Sequence, residues 1–151
     1  LAGDFYADAA RAAALLGRRA LLLIGKNLPP ANLPPSILAW DYLPYAQVFP
    51  RAAAIVHQGG VGTTAQALRA GRPMAIVPFA HDQFDNAARV TRGGAGRTVA
   101  RTRCTAQNLA RALTALLADP RTAPAAAEAA ARVRAEPATE ATADALERVL
   151  A

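Results

Sequence analysis

An α/β domain with an open, doubly wound parallel sheet is the fold this sequence predicts, and two features carry the prediction. Apolar runs of strand length, among them LLLIG, AAAIV and MAIVP, alternate with helical patterns along the chain, an order that gives parallel strands joined by crossing helices. The runs are also nearly continuous, as in strands buried on both faces, instead of alternating with polar residues.

Taken in order, DFYADAARAAALLG reads as a helix capped by Asp4 and stopped by Gly17, and RALLLIG as a buried strand. NLPPANLPPS holds too much proline for anything but a loop. ILAWDYL is the second strand, Pro44 opens a short helix at PYAQVF, and AAAIVH is the third strand. The helix TTAQALRAG ends at Gly71, ahead of PMAIVP as the fourth strand. DQFDNAARVTRGG is a helix and GRTVA a short fifth strand; Thr105 caps AQNLARALTALLAD, and two alanine-rich helices follow, broken near Pro137.

With 151 residues, 53% of them hydrophobic, the chain can build one core, so residues 1–151 are expected to form a single domain. It has no apolar run of about 18 residues and no charged leader with a cleavage site, which predicts a soluble, cytoplasmic protein. Cys104 is the only cysteine and His57 and His81 the only histidines, so neither a disulfide nor a structural metal is expected. The formal charge of +6 comes almost wholly from arginine, Lys26 being the only lysine, and such a surface favours anionic partners. Nucleic acid is not expected among them, because no basic cluster is interleaved with aromatics.

The stretch HQGGVGTTAQALRAG, residues 57–71, places bare backbone where the third strand hands over to a helix. In doubly wound sheets, ligands bind beyond the carboxyl ends of the strands. Gly59, Gly60 and Gly62 let backbone and ligand approach closely. The first N–H groups of a helix lack internal partners and lie at its positive end, where phosphate oxygens are favoured; the Thr63 and Thr64 hydroxyls add donors. By itself the corner admits a second reading, a glycine turn with no ligand.

Gly60-x-Gly62-x-x-Ala65 matches the loose dinucleotide fingerprint, but that motif belongs after the first strand, with a carboxylate ending the next one. Here the next strand ends in Pro78, which disfavours a nicotinamide enzyme. The following loop, HDQFDN, instead sets a carboxylate beside an amide, Asp82 and Gln83, a pair suited to adjacent sugar hydroxyls. A phosphate cradle with a hydroxyl clamp points to a nucleotide sugar.

Residues 40–88, WDYLPYAQVFPRAAAIVHQGGVGTTAQALRAGRPMAIVPFAHDQFDNAA, resemble the donor-binding signature of the UDP-glycosyltransferases of glycosyltransferase family 1, especially bacterial members acting on lipids, sterols and natural products. The resemblance implies a Rossmann-like C-terminal half of the two-domain GT-B architecture, with no bound metal or other cofactor. It implies that Tyr42 stacks on the base, with Trp40 as an alternative stacker or a core residue, and that the Leu43 backbone pairs with the uracil edge. The diphosphate contacts fall on Gln58, Gly62 and Thr63, beside the bare backbone of Gly59 and Gly60 already read as part of the nucleotide site, and the ribose contact on Gln66. Asp82 and Gln83 match the family's sugar-binding pair.

Two positions depart from the family pattern: Gln58 stands where a histidine usually holds the diphosphate, and Gln66 where many relatives carry a carboxylate. An uncharged amide should hold phosphate less firmly than a histidinium. His57 is left as a substitute phosphate ligand or a hydrogen-bonded structural residue, His81 as an exposed loop residue, Asn86 as part of the helix start, and Cys104 as a small apolar side chain.

The implied reaction is inverting transfer of a hexose from a UDP-sugar, or a dTDP-sugar, to a hydroxyl of a lipid or natural-product acceptor. The general base is expected in an N-terminal acceptor-binding domain absent from this chain, which leaves no catalytic residue here and predicts that the chain alone is inactive. That domain is the expected protein partner and the route to any lipid or membrane surface. LAGDFYADAARAAALLG then reads as an inner part of a longer polypeptide, the first strand of the expected half being absent or replaced. A non-catalytic nucleotide-sugar-binding module and a nucleotide-sugar epimerase are the alternatives.

Overall fold

The structure, a computed structural model, describes residues 3–150. In chain order its elements are α1 (Phe5–Leu15), β1 (Ala20–Leu23), β2 (Ile37–Trp40), α2 (Tyr45–Val48) running into a 3₁₀ turn at Phe49–Arg51, β3 (Ile55–His57) and α3 (Val61–Ala70). β4 (Met74–Ile76), α4 (Gln83–Arg92), β5 (Gly96–Thr98), a 3₁₀ turn at Arg101–Arg103, α5 (Ala106–Ala118), α6 (Thr122–Ala135) and α7 (Ala138–Leu150) complete it. Every strand pair is parallel, and the alternation of strands and helices follows the sequence expectation.

Local chemistry ends and starts these helices. The Gly17 and Arg18 N–H groups donate back to the carbonyls of Ala14 and Ala13, each at 3.0 Å, closing the last turn of α1. At its other end Asp4 occupies the capping position, but its side chain makes no capping bond. Gly71 ends α3 at φ +67, and a Cβ there would stand 3.1 Å from the Ala130 Cβ of α6, so the glycine serves both the turn and the helix contact. Thr105 caps α5 by accepting the Asn108 N–H at 3.3 Å.

β4 is the centre of the molecule. Met74, Ala75, Ile76 and Val77 are wholly buried, which is why this run carries no polar residue. Ala75 and Val77 face Leu109, Leu113 and Leu116 of α5 with Ala12 of α1, whereas Met74 and Ile76 face Ala67 of α3, Ala87 and Val90 of α4 and Ala126 of α6. Helices therefore cover both sheet faces, as a doubly wound domain requires. Cys104 is buried at the edge of the first of these layers, and burial pushes its thiol pKa up.

The parallel strands divide between two ladders. Among the described residues β1 pairs only with β2, and β3, β4 and β5 form a separate three-stranded sheet. In a parallel ladder alternate residues bond to a given neighbour. Ala20 and Ile24 bond toward β2 and its flanks, and Ile55 and His57 toward β4. Leu23 and Val56 accordingly turn their backbone groups to edges with no strand partner among the described residues. At Leu23 a side chain closes that edge, the Tyr6 hydroxyl donating to its carbonyl at 3.1 Å. What joins the two sheets is α1: Ala10 and Ala13 pack on Leu22, Ile24 and Ile37, while Ala12 packs in the layer of Ala75 and Val77.

Candidate functional site

Parallel register places the carboxyl ends of β3 and β4 side by side, His57 opposite Ile76. The loops leaving these ends run into α3 and α4, and the residues singled out by the phosphate and hydroxyl readings lie on them. Gly59 turns the chain at φ +91, where a Cβ would meet the Ile76 Cγ2 at 2.9 Å and the Gln83 carbonyl oxygen at 3.0 Å. Only glycine fits between these loops.

The first helical bond of α3 runs from the Thr64 N–H to the Gly60 carbonyl at 2.9 Å. Among the described residues the N–H groups of Gly60, Val61, Gly62 and Thr63 have no partner within the protein, the situation that draws an anion to a helix start. The Gly59 N–H differs from them, since it donates to the His57 Nδ1 at 3.1 Å. Gly59 thus supplies the turn of the corner while its amide is used internally. Gln58 is exposed and its amide nitrogen lies over Gly60, 3.1 Å from where a Cβ would stand. Thr63 is half-buried at the surface; Thr64 is buried with its hydroxyl unpaired. Gln66 is exposed on α3, one turn beyond Gly62 and Thr63 and on their side of the helix.

His57 is 5% exposed, and burial pulls its pKa down to about 4. A neutral imidazole whose Nδ1 accepts a hydrogen bond carries its proton on Nε2, which is buried without a partner. Of the two roles left open for His57, the geometry fits the structural one. His81 is exposed and holds a left-handed backbone at φ +55.

Asp82 and Gln83 sit at the start of α4. The Gln83 Oε1 accepts the N–H groups of Phe79 at 2.7 Å and Ala80 at 3.2 Å, which rigidifies the loop and leaves the Gln83 NH₂ as its outward donor. Asp82 is exposed, and one carboxylate oxygen accepts from the Asn86 Nδ2 at 2.8 Å. The same Nδ2 donates to the Gly59 carbonyl at 2.9 Å. Sequence reasoning placed Asn86 at the helix start and missed this bridge, because its far end lies 27 residues away.

Tyr42 and Leu43 occupy a different place. With Tyr6, Gly25, Asn27 and Tyr45 they line a cavity of about 300 Å³ at the carboxyl ends of β1 and β2. Tyr42 is 72% exposed, so its ring is open to solvent. Trp40 is 59% exposed, which overturns its reading as a core residue, and it does not line the cavity. It lies on the sheet face that α1 leaves uncovered, together with Leu38, whereas Ile37 faces the helix. The two groups of residues are linked by α2: Tyr45 lines the cavity and its ring stacks on Phe49 at 4.4 Å, and Phe49 is buried with Ala67 of α3. Among the described residues no cluster of three or more His, Cys, Asp or Glu side chains could hold a metal, and no helix is long and apolar enough to cross a membrane.

Solved structures of glycosyltransferases share this fold. The glycotransferase of kitacinnamycin superposes with a TM-score of 0.84 at 30% identity, over 95% of this chain and 38% of that one. CalG4, the calicheamicin glycosyltransferase, superposes with a TM-score of 0.87 at 26% identity, over 97% of this chain and 39% of that one. The fold therefore defines the class, the C-terminal domain of a GT-B glycosyltransferase. Within that class the chain belongs to the family described as erythromycin biosynthesis protein CIII-like, C-terminal domain, whose model matches residues 24–149.

Curated relatives include O-mycaminosyltylonolide 6-deoxyallosyltransferase of Streptomyces fradiae, 43% identical over 110 residues that make up 72% of this chain and 26% of that protein. The sterol 3-beta-glucosyltransferase of Candida albicans is 44% identical over 88 residues, 58% of this chain and 6% of that protein. The chain thus spans a minor part of the length of the relatives it matches.

Proposed function

We propose that this domain binds the nucleoside-diphosphate sugar of an inverting hexosyltransferase, with UDP- or dTDP-sugar as donor and a lipid or natural-product hydroxyl as acceptor. The observation that carries the reading is the set of free N–H groups on Gly60, Val61, Gly62 and Thr63, flanked by the Gln58 amide, the Asp82 carboxylate and the Gln83 NH₂. The diphosphate lies against the start of α3, the ribose reaches Gln66, and the sugar hydroxyls reach Asp82 and Gln83. The base stacks on Tyr42 beside Leu43. The chain's positive charge favours the dianionic donor.

In the reaction a base supplied by another domain removes the acceptor proton, the acceptor oxygen bonds to the anomeric carbon, and the bond from that carbon to the diphosphate oxygen breaks. Negative charge accumulates on the diphosphate as it leaves. Backbone donors already aimed at that position need no reorganisation, so they lower the barrier, and the hydroxyl clamp fixes the anomeric carbon in line. The uncharged Gln58 favours a second reading, a module that binds nucleotide sugars without turning them over.

Calorimetry of UDP, dTDP and their glucose conjugates against this chain tests the proposal. Binding of either pair supports it, and an Asp82→Ala substitution is expected to weaken the conjugate while sparing the free nucleotide. Equal losses for both would remove the clamp assignment. Sugar transfer by the chain without any other domain would overturn the absence of a base.

A further inference from the structure

The Gly59 peptide is gripped at both ends. Its N–H donates to the His57 Nδ1 at 3.1 Å, and its carbonyl accepts from the Asn86 Nδ2 at 2.9 Å. Asn86 spends its second amide proton on the Asp82 carboxylate at 2.8 Å. Neither proton of this NH₂ is left for water or ligand, and the two oxygens it joins belong to loops from adjacent strands. The packing has no slack: Gly59 lies against the Gln83 backbone and the Ile76 side chain at distances that exclude a Cβ.

Without Asn86 the Asp82 carboxylate would have its ordinary freedom. Asp82 is exposed, its side chain makes no bond to the amides of its own helix start, and Asn86 is its sole hydrogen-bond partner among the described residues. A freely rotating carboxylate must be ordered when a hydroxyl binds, at an entropic cost that prior restraint removes. The Gly59 carbonyl fixes Asn86, and Asn86 then fixes Asp82 relative to the corner whose next four residues carry the free N–H groups.

We infer that Asn86 is a positioning residue that locks the sugar-binding carboxylate of Asp82 to the phosphate-binding corner through the Gly59 carbonyl, so that the two subsites act as one. The inference rests on the donor-binding reading above. Asn86 touches no ligand in this scheme. Its effect falls on the extra affinity a nucleotide sugar has over its free nucleotide, and it acts only through Asp82.

A double-mutant cycle on the chain separates this from a plain structural role. UDP and UDP-glucose, and dTDP and dTDP-glucose, are titrated by calorimetry against the parent chain, Asn86→Ala, Asp82→Ala and the double variant, each checked for folding by circular dichroism. The affinity ratio of conjugate to nucleotide is expected to fall about fivefold in Asn86→Ala, the worth of one hydrogen bond, with the free nucleotide changed by less than twofold. In the Asp82→Ala background the Asn86 substitution should cause no further fall, since sites acting as a unit are not additive. Asn86→Asp, isosteric but unable to donate and repelling Asp82, should lose at least as much as Asn86→Ala. Should Asn86→Ala not fold, Asn86→Val, uncharged and unable to donate, takes its place in the cycle.

Losses that multiply in the double variant, or an Asn86→Ala that weakens nucleotide and conjugate equally, overturn the inference while leaving donor binding intact. A parent chain that binds none of the four compounds overturns the donor-binding reading, and this inference falls with it.

Discussion

The His57 imidazole accepts the Gly59 N–H through Nδ1, so the last residue of β3 holds the first glycine of the corner from inside the protein. The bond requires a neutral ring. His57 is buried, and its pKa is lowered from 6.5 to about 4. Between these values the unfolded chain takes up a proton that the folded chain refuses, so stability is fully present above about pH 6.5 and is lost as the pH falls toward 4. A shift of this size corresponds to roughly 3 kcal/mol at most. Urea unfolding at pH 7.5 and pH 4.5 should show that loss in the parent chain and a smaller one in His57→Asn, which cannot titrate. Equal pH dependence in both would remove the assignment.

Alanine at Gly59 and at Gly62 separates the turn from the ligand cradle. Gly59→Ala forces a side chain into φ +91 and within 3.0 Å of two neighbouring atoms, and should cost about 1–3 kcal/mol of stability. At Gly62 nothing lies within 4 Å and the residue is inside α3, so alanine should stabilise by up to about 1 kcal/mol. If phosphate oxygens approach the corner closely, the same added methyl weakens nucleotide binding. Thermal melts combined with UDP titration test this: a Gly62→Ala chain that is more stable and binds UDP undiminished would favour the turn without a ligand.

Tyr42 and Trp40 are both exposed, but only Tyr42 lines the cavity. Base stacking on an aromatic is worth about 1–3 kcal/mol, so Tyr42→Ala should weaken UDP and UDP-sugar alike by about fivefold or more, and Trp40→Ala by less than twofold. The reverse order, read by the same titrations, would move the stacking role to Trp40.

What the sequence disclosed follows the range of the forces involved. Thr105 caps its helix and Gly71 ends another because capping depends on neighbours three or four residues away, and the run at Met74 to Val77 reads as a central strand because its burial leaves no polar position. The break between β1 and β3 was not legible, since strand pairing depends on what lies alongside in space. For the same reason the Asn86 bridge to Gly59, 27 residues away, escaped notice. Trp40 misled through a residue-type preference: large aromatics favour burial, yet here one sheet face is uncovered.

Gln58 offers a gain-of-function test. Its side chain is exposed and lies over Gly60, beside the free N–H groups of α3. A histidine placed there reaches the same space and, when protonated, adds a charge-assisted bond to a phosphate oxygen, about twice as strong as a neutral one. The positive helix end disfavours the proton in the empty site, while a bound diphosphate favours it, so the benefit should grow as the pH falls. Gln58→His is expected to tighten UDP binding about fivefold to tenfold at pH 6 and by less than threefold at pH 8, with the pH profile of the parent chain flat by comparison. Because the substituted side chain faces solvent, the melting temperature should hardly change. A variant that binds UDP no better than the parent at either pH would place the diphosphate away from this corner.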